Sequence, residues 1–143
     1  MKQFPKRIFR KKLHKPNGIF LKSLDTKNFY PKLGLFALKA LKSCRLTYKQ
    51  IEAGRKTLRR TLKRGTSAKI HIKPFTYASI TQRVPGVRMG TGKGPHHLWV
   101  CPVRAGYIIY EISNFPFSVK AKLALKRAIS KMPVACKVVQ LFY

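Results

Sequence analysis

The stretch Thr47-Tyr-Lys-Gln-Ile-Glu-Ala-Gly-Arg-Lys-Thr-Leu-Arg-Arg-Thr-Leu-Lys-Arg-Gly65 decides how this chain is read. Tyr48, Ile51, Leu58 and Leu62 recur at helical spacing, so they share one face. Lys49, Lys56, Arg60 and Lys63 fall on another face, widened by Arg55, Arg59 and Arg64. Thr47 and Gln50 have capping-box spacing, in which each side chain satisfies an amide orphaned at the helix start. Gly65 supplies the stop. A helix is therefore expected from Thr47 to about Arg64. A charged helix face is ordinarily just solvated. Here Glu52 is the only acid on the helix, and contact with phosphates is the better reading.

Working outward, Leu35 to Leu41 is a short apolar stretch that reads as a strand. Lys69 to Phe75 alternates, with Ile70 and Ile72 inward and His71 and Lys73 outward, as in a half-buried strand. Residues 76–96 have weak periodicity. His97 to Arg104 and Tyr107 to Ile112 read as two strands joined by the two-residue hairpin link Ala105-Gly106. Pro102 suits an edge or a bulge better than a central strand. Pro116 fits the first turn of a second helix. Ala121, Leu125, Ala128, Ile129 and Met132 form its apolar face, with Lys120, Arg127 and Lys131 opposite and Pro133 as its stop. Val134 to Phe142 closes the chain as a last strand. Strands and helices mix without a repeating βα unit. The fold class expected is α+β, with two helices packed on a mostly antiparallel sheet, a basic N-terminal extension and a protruding Gly-rich loop. The division expected is a basic extended arm over 1–34 and one domain over 35–143, with the loop at 84–96.

Charge narrows the function. The chain has 143 residues with 32 Lys and Arg against three acids, a net +29. Self-repulsion on that scale opposes a compact state, so an anionic partner is expected. A polyphosphate meets the need, because each neutralised phosphate releases a condensed counterion. The hydrophobic fraction of 45% still provides a core. A domain of this length buries roughly 70% of its unfolded surface. No apolar run approaches the ~18 residues that span a bilayer, so no membrane partner is expected. Cys44, Cys101 and Cys136 are odd in number and lack metal-ligand spacing, which reads as idle thiols in a reducing compartment. Met1 to Lys15 has the composition of an organellar presequence. Pro5 and Pro16 interrupt it, and a basic arm lying along nucleic acid is the preferred reading. Phe9, Phe20 and Phe29 are its candidate anchors.

The sharpest local motif is Gly86-Val-Arg-Met-Gly-Thr-Gly-Lys-Gly94. Alternating glycines permit positive φ and close backbone approach. Exposed amides with Arg88 and Lys93 suit phosphates. The spacing argues against a nucleotide-binding loop, and a phosphate-handling enzyme built on it is the weakest of the competing functions. Gly86 to Gly92 has one residue too many, Gly94 stands where a magnesium-binding hydroxyl belongs, and Pro95 and a strand follow. Catalytic groups are as scarce. Glu52 and Glu111 read as ion-pair partners for Arg or Lys, and Asp25 as a turn residue. His96 and His97 are adjacent in a strand, so their rings point apart. No nucleophile, base and orienter come together, and neither an enzyme, a cofactor nor a metal site is expected.

Four stretches carry a family resemblance. They are Pro5-Lys-Arg-Ile-Phe-Arg-Lys-Lys-Leu-His-Lys15, Arg45-Leu-Thr-Tyr-Lys-Gln-Ile-Glu-Ala-Gly-Arg55, Arg88-Met-Gly-Thr-Gly-Lys-Gly94 with Trp99 downstream, and Tyr110-Glu111 with the helix ending Lys131-Met-Pro133. Together they resemble the large-subunit ribosomal protein called L-sixteen in bacteria, over nearly the whole chain. The resemblance implies rRNA contacts from Lys6, Arg7, Arg10, Lys11, Lys12, His14 and Lys15 in the arm. In the helix region it implies Arg45, Lys49, Arg55, Lys56, Arg59, Arg60, Lys63 and Arg64. It also implies a loop reaching toward tRNA and the peptidyl-transferase centre, with Arg88, Met89 and Gly90 at its tip and Gly92, Lys93 and Gly94 at its base. Partners so implied are large-subunit rRNA, tRNA and neighbouring ribosomal proteins, with no homo-oligomer. The chain departs from the family pattern at His71, where Trp is usual, and at Ala105, where proline is common; residues 19–34 and 76–84 match poorly.

The match begins at Pro5, which leaves no room for a removable presequence and implies synthesis in a bacterium or inside an organelle. Lys outnumbers Arg about two to one, and Phe, Ile and Tyr are plentiful. Combined with the departures from the family pattern, this makes a mitochondrial ribosome the first expectation, with plastid and bacterial origins as alternatives. The competing function is a non-specific basic nucleic-acid-compaction protein.

Overall fold

The computed structural model describes residues 4, 5, 12, 23–62 and 67–141. Among the described residues nine elements follow in the order β1 (Phe36–Ala40), β2 (Cys44–Thr47), α1 (Tyr48–Leu62), β3 (Lys69–Ile72), β4 (Ala78–Thr81), β5 (His96–Val103), β6 (Ile108–Ser113), α2 (Ser118–Ile129) and β7 (Cys136–Gln140). They build an α+β fold with two antiparallel sheets. One has the order β3-β6-β1-β7 and the other β2-β5-β4.

The split corrects the expected hairpin. β5 and β6 are consecutive, yet they lie in different sheets. Ala105-Gly106 is a corner between sheets, not a hairpin turn. Gly106 takes φ +87°, which side chains with a Cβ rarely adopt, and the Phe29 ring packs where such a Cβ would sit. Its amide donates to the Ala40 carbonyl at 2.7 Å, and Ala40 returns a bond to Tyr107 at 2.9 Å. The chain is thus handed to β1 instead of folding back on β5.

Two strands escaped the sequence pattern. β2 contributes one fully buried side chain, Leu46, and is too short to show alternation. β4 lies in the stretch read as weakly periodic, where a register shift between Ile80 and Thr81 interrupts its pairing with β5. Pro102 lies in the middle strand of the smaller sheet, against expectation. The reason is local: β4 pairing stops at Ala78 opposite Val100, so at Pro102 only β2 is a neighbour, through Arg45. A residue without an N–H is tolerated there because no ladder bond from β4 is made at that position.

α1 starts as its sequence requires. The Thr47 amide donates to Gln50 Oε1 at 2.9 Å, and the Gln50 amide donates to Thr47 Oγ1 at 3.3 Å. The buried side of α1 is Ile51, Gly54, Leu58 and Leu62. Gly54 belongs to it because a Cβ there would meet the Tyr110 hydroxyl and lie 2.8 Å from Met132 Cε. That closeness lets Tyr110 donate to the Ile51 carbonyl at 2.7 Å. α2 begins at Ser118 with Phe117 as its N-cap, so Pro116 precedes the first turn. It ends at Ile129, earlier than Pro133 implied. Turn bonds from Lys131 to Ala128 and from Met132 to Ile129 carry the chain onward. Ala121, Ala124, Leu125 and Ala128 face inward, and their small methyls let α2 lie close against α1.

Adjacent strand residues point to opposite faces. Tyr110 meets the helices, and Glu111 therefore faces the other side of the larger sheet. There its carboxylate accepts the amides of Lys32 at 3.2 Å and Leu33 at 2.7 Å, and pairs with Lys73. Asn28 O accepts the Ile108 amide at 3.2 Å. The segment before β1 thus covers the sheet face opposite the helices. Phe29 anchors it beneath Lys39, whose Nζ sits 3.4 Å from the ring centroid. Asp25 makes a turn by accepting the Asn28 amide at 2.8 Å.

Glu111 is 0% exposed. Deleting one member of a buried ion pair strands the other charge and costs roughly 3–5 kcal/mol. Glu111→Ala is expected to lose about that much in urea unfolding at moderate salt. Glu52→Ala, which breaks a partly exposed pair within one helix, should lose less, about 1 kcal/mol. Equal midpoint shifts for the two would contradict this assignment.

Candidate nucleic-acid interface

Helix periodicity sets the outward face of α1. Each residue advances about 100°, so Lys49, Lys56 and Arg60 lie opposite the buried stripe, with Arg59 beside them. All four are exposed. Arg55 differs. Its guanidinium holds Glu52 at 2.6 Å and 2.9 Å, three residues back on the same helix. That hydrogen bond holds the Glu52 carboxyl below its usual range and raises the guanidinium's affinity for its proton. Arg55 is therefore partly neutralised, and the sequence pattern did not separate it from its neighbours. Arg45 projects from β2, half-buried. Lys63 and Arg64 lie outside the described residues, as do Gly65, Phe9, Phe20 and the arm residues Lys6, Arg7, Arg10, Lys11, His14 and Lys15.

The glycine loop leaves β4 and returns to β5. Its glycines do two different jobs. Gly86, Gly90 and Gly92 take φ of +82°, +98° and +78°, with no atom near the place of a Cβ. They are needed for backbone conformation alone. Gly94 has no such dihedral, but a Cβ there would collide with the Gln82 carbonyl. It lets the two stems touch, and the Gln82 amide donates to the Pro95 carbonyl at 3.1 Å. Beyond that closure Arg83 braces the loop from inside. Its guanidinium donates to the Arg88 carbonyl and to Thr91 Oγ1, and Thr91 donates to the same carbonyl at 2.6 Å. The tip carries Arg88, and Met89 is 93% exposed. Lys12 is the described arm residue that reaches this region. Its ammonium donates to the Lys93 carbonyl at 3.0 Å, and Lys93 donates to the Lys12 carbonyl at 3.4 Å.

Of the predicted residues that are described, the structure groups Lys49, Lys56, Arg59 and Arg60 on the outward face of α1 and Lys12 with the loop, and leaves Arg45 and Arg55 outside both groups. Sequence reasoning missed Arg83, one position outside the expected loop. Its signal was a cation next to a glycine run, which reads equally well as surface charge. The histidines diverge: His96 bonds Ser79 Oγ at 2.6 Å and lies against Trp99, while His97 is exposed. Burial pushes the thiols of Cys44, Cys101 and Cys136 up to about 11, which keeps them protonated and inert.

Fold and surface define a basic α+β protein with an outward cationic helix and a braced glycine finger. Its sequence belongs to the family of ribosomal protein L16p/L10e, whose profile matches residues 5–139. It is similar to the large ribosomal subunit protein uL16c of Physcomitrium patens, 41% identical over 130 residues, covering 91% of this chain and 90% of that one. The uL16c of Oedogonium cardiacum is 43% identical over 109 residues, covering 76% and 77%. The bacterial uL16 of Psychrobacter arcticus is 38% identical over 136 residues, covering 95% of each chain. The chain is therefore a structural ribosomal protein of bacterial or organellar type, not an enzyme.

Because Gly94 acts through contact and Gly92 through φ, their alanine variants should differ. In hydrogen exchange, Gly94→Ala is expected to remove protection of the Gln82 amide, and Gly92→Ala to leave it. Loss of protection in both would show that loop conformation, not stem contact, holds the base closed.

Proposed function

We propose that this chain is a component of the large ribosomal subunit, bound to its rRNA through the exposed face of α1 and through the basic arm. The observation that carries this reading is the concentration of Lys49, Lys56, Arg59 and Arg60 outside a helix whose single acid is already engaged by Arg55. The family membership and the names of the relatives support it. In this reading residues 1–34 act as an arm on a domain of 35–143, and the loop over 84–96 extends toward tRNA near the A site and the peptidyl-transferase centre. Arg88 and Met89 would meet the tRNA there, with Gly90 to Gly94 giving the backbone its reach. The chain works as one copy per particle, with rRNA and neighbouring ribosomal proteins as its partners and no second copy of itself.

The chloroplast and bacterial relatives support a ribosome of bacterial type, in an organelle or a bacterium. A mitochondrial home rests on composition, through the excess of Lys over Arg and the abundance of Phe, Ile and Tyr, and on the departures from the family pattern at His71 and Ala105.

Counting copies separates a subunit component from a compaction protein. Co-sedimentation should give close to one copy per large subunit, released only at high salt, because several phosphate contacts make affinity fall steeply with salt. Binding to DNA and RNA alike, in unlimited copies, would favour compaction instead. Arg88→Ala should leave assembly intact and slow tRNA accommodation; an unchanged translation rate would remove that role from the loop.

A further inference from the structure

Between β3 and β4 the chain runs extended through Lys73-Pro-Phe-Thr-Tyr-Ala78. Burial alternates there residue by residue. Pro74, Thr76 and Ala78 are buried, whereas Phe75 is 48% exposed and Tyr77 52%. Period-two spacing puts the two rings on one side. The inward residues fix the segment: Thr76 is fully buried, and the Phe75 N–H lies beside the Cys101 sulfur. The two rings are thus held outward by a packed backbone. Tyr77 also lies close enough to Arg104 and Tyr107 to feel them electrostatically. Two exposed aromatic rings therefore share one side of a packed segment, on a chain carrying +29.

Such a patch needs an occupant with a flat π-face and a negative charge. An aromatic side chain stacks on any unpaired base, while a paired base inside a duplex offers no free face. An apolar protein surface would match the rings, but would supply none of the negative charge that a chain of +29 calls for. We infer that Phe75 and Tyr77 form a stacking platform for unpaired RNA bases. This rests on the RNA-binding reading above. It adds a second kind of contact, one that distinguishes single-stranded from duplex RNA, where the α1 face meets only phosphates.

The test uses the full chain and two RNAs of equal length, one a hairpin with an unpaired loop and one fully duplex. Tyr77→Ala and Phe75→Ala should each weaken binding to the hairpin about tenfold. Both should leave duplex binding and the salt slope unchanged. Tyr77→Phe keeps the ring and should bind as wild type. Lys56→Ala with Arg60→Ala should instead weaken both RNAs and reduce the slope. Unchanged urea midpoints would show that the exposed aromatics are not needed for folding. If the alanine variants bind both RNAs as wild type while the α1 variant is impaired, the platform is refuted and the RNA-binding reading survives. Equal losses on duplex and hairpin also refute it. Normal RNA binding with lost incorporation into particles would assign the patch to a protein neighbour. If wild type binds neither RNA, the underlying reading fails as well.

Discussion

With 32 cations and three carboxylates, the use made of each carboxylate constrains everything else. Each acid has an internal role. Glu111 sits within the fold, where it holds Lys73 and two backbone amides. Glu52 restrains Arg55, and Asp25 shapes a turn. Three acids cannot balance the remaining positive charge, whatever the side chains do. The core must therefore hold together against a surface that repels itself, and neutralisation must come from outside. Glu111 matters most, because its bonds join β6, the chain after β3 and the segment before β1 on the sheet face away from the helices.

That arrangement leaves the helices free to work on the other side. Tyr110 points to α1 and Glu111 to the covering segment, so one dipeptide locks both layers onto β6. Gly54 brings α1 close enough for the Tyr110 hydroxyl to reach the Ile51 carbonyl. The same contact fixes the helix rotation, and rotation decides which cations face out. The inner packing of α1 and its outward charge are one geometric fact seen from two sides.

Much of this was legible in the residues. The capping box at Thr47 and Gln50, the apolar stripe of α1, the α+β class and the ion-pair roles of Glu52 and Glu111 all follow from local chemistry. Strand partnership was not legible. Tyr107 to Ile112 reads as the return arm of a hairpin, because nothing local to Ala105-Gly106 reports that Ala40 receives the chain. β4 was hidden for a related reason: a four-residue strand with a register shift has no clean period. In the loop, sequence pointed to the glycines but could not say that Gly94 serves contact while Gly86, Gly90 and Gly92 serve dihedrals. Arg83 escaped because its partners are backbone carbonyl and hydroxyl groups, which leave no charge pattern. Family membership connects these parts to a ribosome, while the geometry explains why each part has its shape.

The most direct test of the account is a density map of the ribosomal particle that contains this chain. Lys49, Lys56, Arg59 and Arg60 should lie at hydrogen-bonding or ion-pair distance from rRNA phosphates, with the buried stripe of α1 still against Tyr110. Density showing that face of α1 against protein or bulk solvent would contradict the claim that folded RNA supplies the missing negative charge.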